Sequence, residues 1–175
     1  NIFLTCIEIV QLIKTIWMSK KPLILGIESS CDETAASIIT ENEQRIPIVL
    51  SNVVSSQVEV HKEFGGVVPE LAARSHMEKI DWIVQKAINE SGKKIEEIDA
   101  VASTAGPGLI VCLSVGLSFG KAFASALGKP FVAVNHLEGH ALSPKLNSEL
   151  NYPYLLLLIS RGHSQYLTVP GLGPY

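Results

Sequence analysis

A short apolar run at residues 100–104, a Gly106-Pro107-Gly108 break, a long apolar stretch at 110–127 stopped by Gly128, and a second run at 131–135 limit what this chain can become. The order reads strand, helix, strand, and such a unit is almost always parallel and right-handed. Ahead of it, residues 23–28 (LILGIE), 35–40 (AASIIT) and 46–51 read as three strands joined by short turns, an antiparallel meander. Pro47 stands near the start of the third, where a strand tolerates it. Pro69 opens a long helix that ends near Gly92; proline suits a first turn, and Glu70 suits the positive end of the helix dipole. Leu71, Ala72, Ile80, Ile83, Val84, Ala87 and Ile88 form its apolar stripe. Another helix is expected over 136–145, and two strands over 154–159 and 165–169.

This pattern is α/β, and a three-strand meander followed by strand-helix-strand units is the layout of a ribonuclease H-like lobe. The 175 residues are 47% apolar, enough for a core, which excludes a disordered chain. A formal net charge of -3 argues against an overall nucleic-acid charge footprint, though a local basic patch stays open. Cys6, Cys31 and Cys112 form no CxxC pair, so neither a disulfide framework nor a structural zinc site is indicated, and a reducing, cytoplasmic setting is expected. Residues 1–18 are apolar but interrupted by Glu8, Gln11 and Lys14, short of the ~20 mostly apolar residues of a spanning helix. They read as an extension upstream of a start at Met18, with a short membrane-associating or targeting helix as the alternative.

Four clusters bear chemistry. In His136-Leu137-Glu138-Gly139-His140 the two histidines are i and i+4, so in a helix both imidazoles leave one face, the spacing two ligands of one metal ion need. The zinc-protease pattern places its acid directly after the first histidine, whereas Glu138 comes two residues after it. A third ligand is not evident nearby, and two surface histidines remain the alternative. Ser29-Ser30-Cys31-Asp32-Glu33-Thr34 caps the first hairpin, where carboxylates and hydroxyls can face a phosphate or its cation, or simply form a solvated turn. Gly106-Pro107-Gly108 precedes a helix start that favours anions, but a rigid, closely packed turn is the preferred reading. Ser160-Arg161-Gly162-His163 lies between two strands, where backbone amides can approach a ligand.

Taken with the segments LGIESSCDETAASI, FGGVVPELAARSH, GPGLIVCLSVGLSFGKAFA, PFVAVNHLEGHAL and YLLLLISRGHSQYL, these clusters resemble the tRNA N6-adenosine threonylcarbamoyltransferases, formerly called O-sialoglycoprotein endopeptidases, and the bacterial type most closely. The resemblance runs from Leu23 to the end. It implies an ASKHA-type fold (the actin, Hsp70 and sugar-kinase class) of two lobes. It implies transfer of a threonylcarbamoyl group from threonylcarbamoyl-AMP to N6 of adenosine 37 in tRNAs reading ANN codons. His136 and His140 match two ligands of a divalent metal, iron or zinc. Leu158, Ile159, Ser160, Arg161 and Gly162 match the substrate-binding turn, and Asp32 and Glu33 match acids that assist the acyl transfer. Implied partners are tRNA, a related ASKHA-fold dimerisation partner and an associated ATPase, with no membrane.

Two departures stand out. The family is about twice this long and draws a further metal ligand, an Asp, from its second lobe, and its turn reads Ser-Gly-Gly-His where this chain has Arg161. The expected organisation is therefore an extension over 1–18, a first lobe over 19–148 and the start of a truncated second lobe over 149–175, in a copy impaired in catalysis. The rival readings are a metal-dependent glycoprotease and a non-catalytic dimerising lobe.

Overall fold

The computed structural model describes residues 21–44, 46–146, 150–159 and 164–171. Five strands form a mixed sheet: β1 (Ile24–Glu28), β2 (Glu33–Glu41), β3 (Pro47–Ser56), β4 (Ala100–Gly106) and β5 (Phe131–Asn135), in the order β3-β2-β1-β4-β5. The first three pair antiparallel, while β1, β4 and β5 run parallel. Among the described residues the α-helices are α1 (Val58–Lys62), α2 (Pro69–Glu90), α3 (Ile110–Leu127) and α4 (His136–Leu142). A separate antiparallel pair, β6 (Tyr154–Ile159) and β7 (Ser164–Val169), comes last. The architecture is thus mixed α/β, as the order of apolar runs required.

Two elements depart from expectation. Strand β3 continues to Ser56 rather than stopping at Ser51, because β2 offers it partners along its whole length, across a register shift between Ile38 and Ile39. The five-residue α1 was not foreseen; a single turn carries too few apolar positions to show a period.

The run Leu23-Ile24-Leu25-Gly26-Ile27 is apolar at every position because β1 is buried on both faces. Leu25 and Ile27 join Ala36, Ile38, Ile80, Ile83, Val84 and Ala87 in the core beneath α2 and α3. Ile24 joins Ile39, Ala100, Ala102 and Val134 on the opposite side. Each fully buried Ile or Leu contributes about 1.5–3 kcal/mol. Helix α3 is long and apolar enough to cross a membrane by length and composition alone; in this fold it lies along β4 and α2, with Cys112, Leu113, Gly116, Gly120 and Ala124 buried. It ends at Gly128, whose φ of 63° is the left-handed cap glycine favours.

Because β1, β4 and β5 are parallel, their carboxyl ends share one edge of the sheet. Glu28, the Thr104–Gly106 end of β4 and the Asn135–His136 junction meet there. In parallel α/β sheets that edge is where ligand sites form.

Candidate active site

The Ser29–Thr34 loop is not a solvated turn. Ser29, Ser30, Asp32 and Thr34 are all buried, and Cys31 is exposed. Ser29 is clamped by α3: its hydroxyl donates to the Cys112 carbonyl at 2.8 Å and accepts from the Gly116 amide at 3.1 Å. A Cβ on Gly116 would run into that hydroxyl. The Gly106-Pro107-Gly108 turn packs on the next residue. Leu109 N–H donates to the Ser30 carbonyl at 2.8 Å, and a Cβ on Gly108 would stand 2.7 Å from that oxygen. The close-packing reading of this turn is the one its geometry supports.

Helix α4 starts where Asn135 places its side-chain oxygen over the first turn, accepting from Leu137 N–H at 2.9 Å and Glu138 N–H at 3.2 Å. That cap sets the phase of the helix, so His136 and His140 project together. Their rings meet edge to face at a centroid distance of 4.6 Å, with the Nε2 atoms 3.2 Å apart. This is less than twice the ~2.1 Å of a metal–imidazole bond, so both nitrogens can reach one ion. Burial, with His136 beside it, pulls His140 down to about 4, leaving its ring neutral near pH 7. Imidazole nitrogens suit zinc or iron. The pair therefore fits the implied metal as two of its ligands; no group of three metal-ligating side chains occurs among the described residues.

The carboxylate against these histidines is Glu28. Its Oε2 lies 3.3 Å from His136 Nδ1 and accepts from the Thr104 hydroxyl at 2.5 Å, and its Oε1 accepts from Ser30 N–H at 2.5 Å. Burial pushes the Glu28 carboxyl up, but the hydrogen bond and charge of His136, with the bonds from Ser30 and Thr104, outweigh that and hold it below its ordinary value. Sequence reasoning took Glu28 only as the acid that ends a strand.

Asp32 and Glu33 sit differently. The Asp32 main-chain oxygen accepts from Gln57 N–H at 2.9 Å, and its carboxylate is felt at Cys112 and His76. Glu33 is half-buried as the first residue of β2, opposite Ser56. Cys112, buried and near the Cys31, Asp32 and Glu70 charges, is pushed up to about 11 and is an unreactive thiol. Leu158 is buried and Ile159 exposed at the end of β6, paired with Gln165 and Ser164. Ser160, Arg161 and Gly162 lie outside the described residues. Strand β6 is tied to α4 through the Tyr154 hydroxyl, which donates to the Ala141 carbonyl at 2.5 Å.

Comparison with known proteins converges on one family. The family model described as TsaD, tRNA N6-adenosine threonylcarbamoyltransferase, matches residues 48–175. A protein of that name from Pelagibacter ubique (strain HTCC1062) is 80% identical over 158 residues, covering 90% of this chain and 44% of its own length. One from Chelativorans sp. (strain BNC1) is 56% identical over 152 residues, covering 87% and 42%. The chain thus spans less than half the length of these relatives. Among solved structures, YeaZ from Pseudomonas aeruginosa superposes with a TM-score of 0.51 at 14% identity, over 85% of this chain and 67% of that one, a likeness of fold. His136, His140 and the strands from β4 to β7 fall inside the family match, and the chain belongs to the tRNA N6-adenosine threonylcarbamoyltransferase family.

Proposed function

We propose that this chain supplies one wall of a site that transfers a threonylcarbamoyl group from threonylcarbamoyl-AMP to N6 of adenosine 37 in tRNAs reading ANN codons. The observation that carries the proposal is the convergence of the His136 and His140 Nε2 atoms at the carboxyl edge of the parallel strands, backed by Glu28. In this reading the sheet is a ribonuclease H-like lobe of the ASKHA class. The natural partners are tRNA, a related ASKHA-fold protein and an associated ATPase, in the cytoplasm.

The chemistry sets the roles. An exocyclic adenine amine is a weak nucleophile, so the barrier lies in activating the carbonyl. The mixed anhydride with AMP brings its own leaving group. His136 and His140 would hold a divalent iron or zinc ion, which would supply Lewis-acid polarisation of the carbonyl. Asp32 and Glu33, on the first hairpin, take the proton the amine sheds as the new carbon–nitrogen bond forms. Leu158, Ile159, Ser160, Arg161 and Gly162, which match the family's substrate-binding segment, bind the adenylate. The glycoprotease alternative is not carried forward, since Glu138 sits in the first turn of α4, two residues after His136.

The test is transfer in vitro. The chain is incubated with zinc or ferrous ion, threonylcarbamoyl-AMP and an ANN-reading tRNA, with and without the separately expressed remainder of the Pelagibacter relative. Mass spectrometry of the digested tRNA reads the product. Modified adenosine that disappears with His140→Ala is expected in the two-piece reaction. Its absence there, with both pieces folded, rejects the proposal.

A further inference from the structure

Two hydrogen bonds fix the Glu28 carboxylate before any histidine is considered. The Ser30 amide can only donate, and it holds Oε1; the buried Thr104 hydroxyl holds Oε2. Both partners are donors, the company an ionised carboxylate keeps. The remaining capacity of Oε2 faces His136 Nδ1 at 3.3 Å, with the Ser30 hydroxyl 3.5 Å from the same nitrogen. A carboxylate only accepts, so the proton of the His136 ring belongs on Nδ1. Its Nε2 then carries a lone pair, directed at the other ring. Among the described residues no comparable carboxylate is seen bonded to His140. In its contact with His136 Nε2, at 3.2 Å, His140 must supply the proton.

We infer that Glu28 is a positioning residue that locks His136 into the tautomer whose Nε2 can ligate a divalent cation, while His140 is left to move its proton from Nε2 to Nδ1 when the cation enters. No proton is gained or lost overall: the ion replaces the N–H···N contact between the rings, and one ring changes tautomer. Carboxylate–histidine pairs behind a metal act in this way in general, fixing ring orientation and raising ligand basicity. The last step rests on the metal reading proposed above; the tautomer of His136 does not.

The experiment is nitrogen-15 NMR of the imidazoles in the whole chain at mildly alkaline pH, first metal-free and then titrated with zinc chloride alone. The expected spectrum has His136 protonated at Nδ1 and His140 at Nε2, with zinc switching only His140. In Glu28→Gln the amide can keep the Ser30 bond only by turning its NH2 toward His136, so His136 should flip to the Nε2–H form and zinc affinity should fall about 10–100-fold. A native His136 protonated at Nε2, or a Glu28→Gln chain with unchanged tautomer and zinc affinity, overturns the inference. The native spectrum needs no variant, so a misfolded substitution leaves the inference testable. Native tautomers as expected, with zinc leaving both rings unchanged, would uphold the role of Glu28 and refute the metal reading.

Discussion

The first hairpin feeds two histidine clusters on opposite sides of the sheet, and they are built on different rules. On the α2 side, His76 is fully buried and both ring nitrogens are occupied. Nδ1 meets the Thr34 hydroxyl at 2.7 Å and the Gln57 amide at 3.3 Å, and Nε2 meets the Cys31 carbonyl at 3.0 Å. On the other side, His136 and His140 turn nitrogens toward each other, and the His136 side chain keeps 22% of its surface. One cluster has used its hydrogen-bonding capacity to close the fold. The other keeps capacity that the fold does not need. The same residue type is scaffold in one place and, in the proposed reading, ligand in the other, and what separates them is whether the polar atoms find partners within the protein.

The largest effect is therefore expected at the closed cluster. His76→Ala leaves the Thr34 hydroxyl, the Gln57 amide and the Cys31 carbonyl without their partner and opens a cavity between α2 and the hairpin. A loss of about 3 kcal/mol is expected from the unpaired groups and the void together. Urea unfolding followed by circular dichroism measures it. A loss under about 1 kcal/mol would mean the cluster is dispensable and would break the contrast. Gly116→Val comes next, since its side chain must displace Ser29 from its bonds to α3. Overpacking of this kind costs about 1–3 kcal/mol, read from the same curves.

Which of these features could be read in advance follows from where their information resides. The order of strands and helices was legible because apolar periodicity is local: β1, β2, β4, β5, β6, α2 and α3 lie close to where their runs predicted. The His136–His140 pair was legible because one helical turn decides it. Glu28 was not, because its meaning depends on Thr104 and His136, which are 76 and 108 residues away. His76 was missed although its signal was present. It lies four residues after Ala72 and four before Ile80, on the buried stripe, but a polar residue was not counted there. The length of β3 was hidden by Ser51, Asn52, Ser55 and Ser56, polar residues whose strand character comes from pairing with β2 rather than from alternation.

The third prediction sharpens the contrast by titration. Burial holds His76 below its ordinary 6.5, more than the neighbouring Cys31 carbonyl and the Glu28 and Asp32 charges restore. As pH falls through 6.5, the unfolded chain takes up a proton at this site before the folded chain does. The unfolded state then binds more protons, so stability falls with pH, from about 6.5 down to the lowered folded value, and levels off below it. His76→Gln, which cannot titrate, should lose this slope while other acid-sensitive groups keep theirs. The check is the difference between the two chains' unfolding free energies, measured at steps from mildly alkaline to acid pH. A difference that does not change with pH would show that His76 is not held neutral by the fold.

The smallest effect on stability is expected where the functional effect is greatest. The His140 ring bonds to His136, and the Ser143 hydroxyl bonds to the main-chain carbonyl of His140, which His140→Ala retains. His136 Nε2, once freed, can turn to water because its ring is partly exposed. The cost of removing the ring should stay below about 1 kcal/mol, since no buried polar group is stranded. Zinc binding, in the proposed reading, needs both nitrogens, so a competition assay with a fluorescent chelator should register its loss in a chain that unfolds almost as the native one does. If His140→Ala instead costs as much as His76→Ala, the second cluster is scaffold as well, and its spare nitrogens are no sign of function. A small cost together with lost zinc binding separates the two clusters in one protein, because the same substitution then changes the ligand and leaves the fold standing.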